Sequence, residues 1–156
     1  MIDLVRVIEL PAAAAEVWAA FWNVQQMARC IPGCQDAHEV EPQHRFRATV
    51  RDRVGPYQVE IPIDVTVDAL EPGTRLAVKA SGRDAVLASR VKVSMIVALA
   101  PGAAGTSLTL QGKAEVGGKL AALGRSVVQR KTHDILNEFA TSFDRLFRRQ
   151  SDTATV

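Results

Sequence analysis

The sequence predicts an α+β fold: an antiparallel sheet of about seven strands wrapped around one long C-terminal helix, with two short helices after the first strand. Three observations carry this. From Gly118 to Arg149, Leu120, Leu123, Val127, Val128, Ile135, Phe139, Phe143 and Leu146 recur at helical steps. Ser126, Arg130, His133, Asn137, Thr141, Asp144 and Arg148 occupy the other side, which makes one amphipathic helix with one apolar stripe. Upstream, the period changes to two, and Gly55-Pro56, Pro72-Gly73 and Pro101-Gly102 punctuate it; strands joined by tight turns look like this. A helix on the order of 45 Å long needs a broad apolar surface to lie on, and the strands supply it.

In chain order, Ile2 to Leu10 reads as a strand that Pro11 stops. The alanines that follow favour a short helix from about Ala13 to Trp22, with Val17, Trp18, Phe21 and Trp22 on one side. Val24 to Arg29 forms a second helix, closed by Ile31-Pro32-Gly33. Gln35 to Glu41 is a more polar strand. Phe46, Ala48 and Val50 alternate with arginines and Thr49 on the next. The clearest strand carries Tyr57, Val59, Ile61, Ile63, Val65, Val67 and Ala69 on one face, against Gln58, Glu60, Asp64, Thr66 and Asp68 on the other. Of these, Val59, Ile61, Ile63 and Val65 are expected to be buried against the helix. Leu76, Val78 and Ala80 make a shorter strand; Val91 to Leu99 and Leu108 to Val116 make the last two. Short turns imply antiparallel neighbours, and a twisted sheet with one apolar face can curl around the final helix, a helix-grip arrangement. Where sheet and helix fail to meet along their full length, an apolar cavity remains.

The length, 156 residues, suits a single domain over residues 1–150, with a flexible tail from Ser151 to Val156. A formal charge of +2 gives no argument for nucleic acid. No apolar run spans a bilayer, and the charged, alternating N-terminus is not a signal peptide. Two cysteines without an export signal point to the cytoplasm. No nucleophile motif or acid pair stands out, so no catalytic residue is assigned.

Cys30 and Cys34 flank a turn, and His38 and His44 show no ligand spacing with them, so no metal is expected. They read as small, buried residues. Asp52 continues the inward period of Phe46, Ala48 and Val50, and Arg6 interrupts the row of Leu4, Ile8 and Leu10. Each either reaches water at a strand end or sets a polar group at the mouth of the cavity. Arg45, Arg47, Arg51 and Arg53 share a strand face. Glu39 and Glu41 are the expected partners; the alternative is a docking patch for an acidic partner. Arg145, Arg148 and Arg149, with Leu146 and Phe147, offer a lipid contact too short to anchor alone.

The segment Pro11-Ala-Ala-Ala-Ala-Glu-Val-Trp18, then Ala28-Arg-Cys-Ile-Pro-Gly-Cys34, Val54-Gly-Pro56 and Val116-Gly-Gly-Lys-Leu-Ala-Ala-Leu-Gly124, resembles the carbon monoxide dehydrogenase CoxG family. The resemblance runs from Ile8 to Phe147 and is fairly specific for these pieces in this order and at this separation. It implies the START-like ligand-binding fold. It also implies a non-enzymatic accessory role beside a molybdenum hydroxylase, with quinone binding and membrane recruitment. Some members continue into a membrane-associating extension; here a polar tail follows the helix, and the expectation is peripheral contact at the inner face of the membrane. The stretch Ser81 to Arg90 is less glycine-rich than the family pattern, which alters the pocket mouth.

On this reading a hydrophobic molecule, a quinone, lies between sheet and helix. The expected lining is Phe21, Met27, Phe46, Val50, Asp52, Ile61, Ile63, Val78, Val93, Met95, Leu108, Leu110, Leu123 and Val127. No cofactor is called for. Two rivals stay open: an assembly factor whose interior is packed core, and a hydrolase or cyclase of the same superfamily. The ligand's identity, the partner enzyme and the oligomeric state are not legible.

Overall fold

Pro11 ends the first strand, β1 (Ile2–Leu10), and the alanine-rich stretch after it winds into α1 (Ala14–Phe21). The Asn23 side chain accepts the Gln26 amide and caps α2 (Val24–Cys30). Six strands follow without interruption: β2 (Cys34–Glu41), β3 (Arg45–Val54), β4 (Tyr57–Glu71), β5 (Arg75–Asp84), β6 (Ser89–Pro101) and β7 (Thr106–Gly117). A 3-10 turn (Ala121–Leu123) leads into α3 (Arg125–Ala154). The computed structural model describes residues 1–84 and 86–154, and of 149–154 the backbone alone. Of the tail expected from Ser151 to Val156, residues 151–154 continue the backbone of α3, and 155 and 156 lie outside the described residues.

All seven strands form one antiparallel sheet in the order β1-β7-β6-β5-β4-β3-β2. Consecutive strands pair through short turns. The exception is β1, which α1 and α2 separate from β2 and which pairs with β7 at the other end of the chain. This is the α+β helix-grip fold that the periodicities predict.

The long helix starts later than its pattern suggests. The periodicity predicts a start at Gly118, but β7 runs to Gly117 and α3 begins at Arg125. Gly118 (φ +79°) and Gly124 (φ +101°) sit in left-handed backbone regions, and a Cβ at Gly118 would overlap the Ala88 carbonyl oxygen. Close packing of this corner against the β5–β6 loop therefore turns the chain before the helix can begin. The buried line of α3 is also rotated from the expected stripe. Val128, Ala140, Phe143 and Phe147 are its most buried residues, while Val127 is exposed and Ile135 is half-buried. Phe147 is thus core, which removes it from the proposed lipid contact.

A buried aspartate ties the β5–β6 loop down. Asp84, 3% exposed, accepts the amides of Leu87 (3.0 Å), Val86 (2.9 Å) and Glu60 (3.1 Å). Ser89, also buried, donates to the Leu87 carbonyl and accepts the Leu120 amide, which joins this loop to the approach to α3. The amide bonds, led by that of Leu87, hold the Asp84 carboxyl below the ordinary aspartate range, against the opposing effect of burial. Its stabilising contribution is therefore present in full above the unfolded value of about 3.9 and is lost as pH falls through the lower folded value. Asp84→Asn is expected to destabilise the protein at pH 7, with the gap to wild type narrowing below about pH 4. Urea unfolding across pH 3–7 measures this; a gap constant down to pH 3 would show that the carboxylate's charge contributes nothing.

Candidate functional site

Inward-pointing side chains along the sheet are not buried uniformly. At one end Ile8, Leu10, Val17, Val67, Leu76, Leu99, Leu108, Phe143 and Phe147 form the largest buried cluster. At the other, Val59, Ile61, Leu87 and Leu120 form a second. Ile2, Leu4, Ala114 and Val128 close the β1 side. Between these clusters the inward side chains of the middle strands stay half-buried: Phe46, Val50, Ile63, Val65, Val78, Val93 and Met95, with Leu136 and Phe139 from α3. α3 makes its closest backbone approaches to β1, β3 and α2 rather than to β4, β5 or β6. α3 thus meets the sheet mainly at β1 and β3, and of the half-buried inward side chains all but Val50 pack against one of the three clusters.

Among the described residues one charged pair crosses between helix and sheet. Lys131 of α3 places Nζ 2.8 Å from Asp52 Oδ2 on β3, and both side chains are mostly buried. Asp52 Oδ1 accepts the Arg53 amide at 2.7 Å. Asp52 lies beside Gly33, where an added Cβ would overlap the Arg51 carbonyl oxygen, so the turn after α2 packs directly on β3. The pair is polar ground at the edge of the half-buried apolar surface. Sequence reasoning misses Lys131, although Val127, Lys131, Ile135 and Phe139 recur at steps of four and the lysine interrupts that row.

The expected lining residues fall into three groups. Phe21, Met27, Phe46, Val50, Ile63, Val78, Val93 and Met95 are half-buried, with Asp52 beside them. Phe21 stacks on Phe143, ring centroids 5.9 Å apart. Ile61, Leu108 and Leu110 are core, their side chains consumed in close packing. Ile63 and Val65 keep accessible surface where the alternation predicts burial; Val59 and Ile61 are buried. Leu123 packs in the end cluster, and Val127 is exposed above the Gly55 turn, so both stand away from the middle.

Arg6 stays in the core-facing row, opposite Leu110, yet is exposed. β1 is an edge strand, so its stem can follow the row while the head reaches water. The arginines of β3 are largely neutralised, and mostly by β4 rather than β2. Arg47 meets Asp64 at 2.9 Å, and Arg51 meets Glu60 at 3.2 Å, each its cross-strand neighbour. Only Arg45 finds an expected partner, Glu41, at 3.2 Å. Such exposed pairs contribute little stability, but they leave little free charge for docking. Cys30 is buried and donates to the Gln26 carbonyl, and Cys34 is half-buried. Burial pushes both thiols up, away from thiolate chemistry. Among the described residues no helix is long and apolar enough to cross a membrane.

Comparison with solved structures gives the same architecture. A conserved protein from Geobacillus kaustophilus superposes with a TM-score of 0.84 at 20% identity, covering 95% of this chain and 96% of that one. The protein Ara h 8.0201 matches with a TM-score of 0.63 at 17% identity, over 94% and 97% of the two chains. The di-domain ARO/CYC StfQ of the steffimycin biosynthetic pathway matches with a TM-score of 0.64 at 15% identity, over 99% of this chain and 52% of that one. At these identities the likeness establishes the fold alone. A search of curated proteins finds no sequence match. The family profile of the carbon monoxide dehydrogenase protein CoxG matches residues 8–146, nearly the stretch over which the N-terminal, Cys-Ile-Pro-Gly-Cys and Gly-Gly-Lys-Leu segments fall. Fold, motif order and profile agree: the chain belongs to the carbon monoxide dehydrogenase CoxG family.

Proposed function

We propose that the chain is a non-catalytic accessory protein that holds a lipophilic, ring-bearing molecule, a quinone, between α3 and the middle strands, and serves a molybdenum hydroxylase. The carrying observation is the half-buried inward row Phe46, Val50, Ile63, Val65, Val78, Val93 and Met95, bounded by closed clusters on its flanks. Protein interiors are normally packed without voids, so inward apolar surface left accessible favours an occupant. Short aliphatic side chains with one polar edge suit a molecule with an apolar body and a polar end. The Asp52–Lys131 pair supplies that edge, Lys131 as donor to a ligand carbonyl oxygen. Family membership supports the hydroxylase, as a partner by class.

Trp18 and Trp22 pack against the large cluster, their rings 5.8 Å apart, and report on the interior. Titrating a short-chain, water-soluble ubiquinone analogue should quench their fluorescence saturably, at one equivalent per chain. Quenching that rises linearly with quinone, without saturation, would reflect collisions and would sink the binding reading.

A further inference from the structure

We propose that the outer face of the sheet, across β5 and β6, is a docking surface for an acidic segment of a partner protein. The sheet carries a cleft of about 850 Å³ on the side away from the half-buried row. Two cross-strand rows build it. Asp64, Ser81, Lys92 and Glu115 stand side by side on β4, β5, β6 and β7. One step along, Arg83 and Arg90 are direct cross-strand partners, and Gly117 follows Arg90 on β7.

The two rows differ in charge. In the first, Lys92 lies opposite Glu115, and Asp64 is already paired with Arg47. In the second, two arginines face each other with no acid within ion-pair distance among the described residues. Asp84 adjoins Arg83 in sequence, but it is buried and committed to three backbone amides. The Arg90 guanidinium lies beside Gly117 of β7, where an added Cβ would be in ordinary contact with it at 3.4 Å. Like charges directly opposite on neighbouring strands are destabilising unless something anionic sits between them. Arg45, Arg47, Arg51, Arg75 and Arg148 have acidic partners within the chain, whereas Arg6, Arg29, Arg53, Arg125, Arg130 and Arg145 have none among the described residues; what sets Arg83 and Arg90 apart is that they stand directly opposite each other on neighbouring strands.

A carboxylate-bearing segment answers this arrangement. Two guanidinium forks offer bidentate hydrogen bonds to side-chain carboxylates, a geometry that a lysine pair would not give. The cleft is recessed and crosses the strands, which suits a chain segment better than a flat bilayer. No aromatic residue lines it, so it offers nothing on which bases could stack. The inference is independent of what the inner face holds.

The test uses the full chain and a hexaglutamate peptide. Titration followed by amide NMR should shift residues 81–83, 90–92 and 115–117. Arg83→Ala/Arg90→Ala should weaken binding about tenfold or more, and Arg47→Ala/Arg51→Ala should change it less than about twofold. Added salt should weaken it, since the sites are exposed. The same double variant should bind a quinone as wild type does, which keeps this result separate from that of the inner face. Equal affinity of the Arg83/Arg90 variant for the peptide overturns the proposal, as do shifts confined to β3. Phosphatidylglycerol vesicles that compete with the peptide at equal charge concentration and lose binding in the same variant would reassign the surface to membrane.

Discussion

Phe143→Ala will lower the unfolding free energy by about 3–5 kcal/mol, a large part of the total stability of a domain this size. Phe143 is 0% exposed. It stacks on Phe21 and on Phe139, centroids 5.9 and 5.4 Å away, and meets Phe147 edge-on at 5.1 Å. Truncation removes the ring shared by α1 and α3 and leaves a cavity that rigid neighbours cannot fill. Ile135→Ala, on the same helix, should cost less than half as much. Ile135 is half-buried and belongs to none of the three buried clusters. Urea unfolding of the two variants compares them directly. Equal losses would mean that α3 buries the Ile135 side of its surface and that the middle of the sheet is closed.

Val93→Trp will abolish saturable quinone quenching while the protein still folds. Val93 is half-buried on β6, between Val91 and Met95, opposite Ala80 on β5 and Ala114 on β7. An indole in that position would occupy the space between sheet and helix. Overpacking in a filled core costs about 1–3 kcal/mol, whereas into an unfilled space the cost should fall at the low end. Circular dichroism and unfolding establish the fold, and quenching of Trp18 and Trp22, corrected for the added indole, reads the binding. A folded variant that binds as tightly as wild type would put the quinone elsewhere.

The fold was legible because its signals are local. Period-two alternation over Tyr57–Ala69 and the Pro-Gly turns report strand and hairpin directly; the strands read from alternation are all present, β5 running on to Asp84, and the more polar stretch Gln35 to Glu41 is β2. The start of α3 was not legible, because Leu120 and Leu123 keep helical spacing while Gly118 and Gly124 turn the backbone, Gly118 through close packing on a loop some 30 residues away. The phase of the buried stripe was missed by about one residue for a related reason. Val127 and Val128 are both apolar, and only the direction from which the sheet approaches decides which is buried.

The inward face was legible. Alternation tells inward from outward, so Phe46, Val50, Ile63, Val78, Val93 and Met95 were placed on the inner face, where they are half-buried. It does not tell a tightly packed inward position from a loosely covered one. Leu108 and Leu110 alternate like their neighbours, yet they lie beside edge strand β1, where α3 presses close. Pairing of the β3 arginines needed the β3–β4 register, which sets Asp64 and Glu60 opposite Arg47 and Arg51 and was not readable from their sequence separation.

The most direct measurement is methyl-selective NMR of the full chain with a short-chain ubiquinone analogue. Intermolecular nuclear Overhauser contacts should appear from the quinone to the methyls of Val50, Ile63, Val65, Val78, Val93 and Met95, and not to those of the fully buried Leu10 and Leu108. Contacts confined to the outer face, or methyl spectra unchanged at saturating quinone, would contradict an internal ligand.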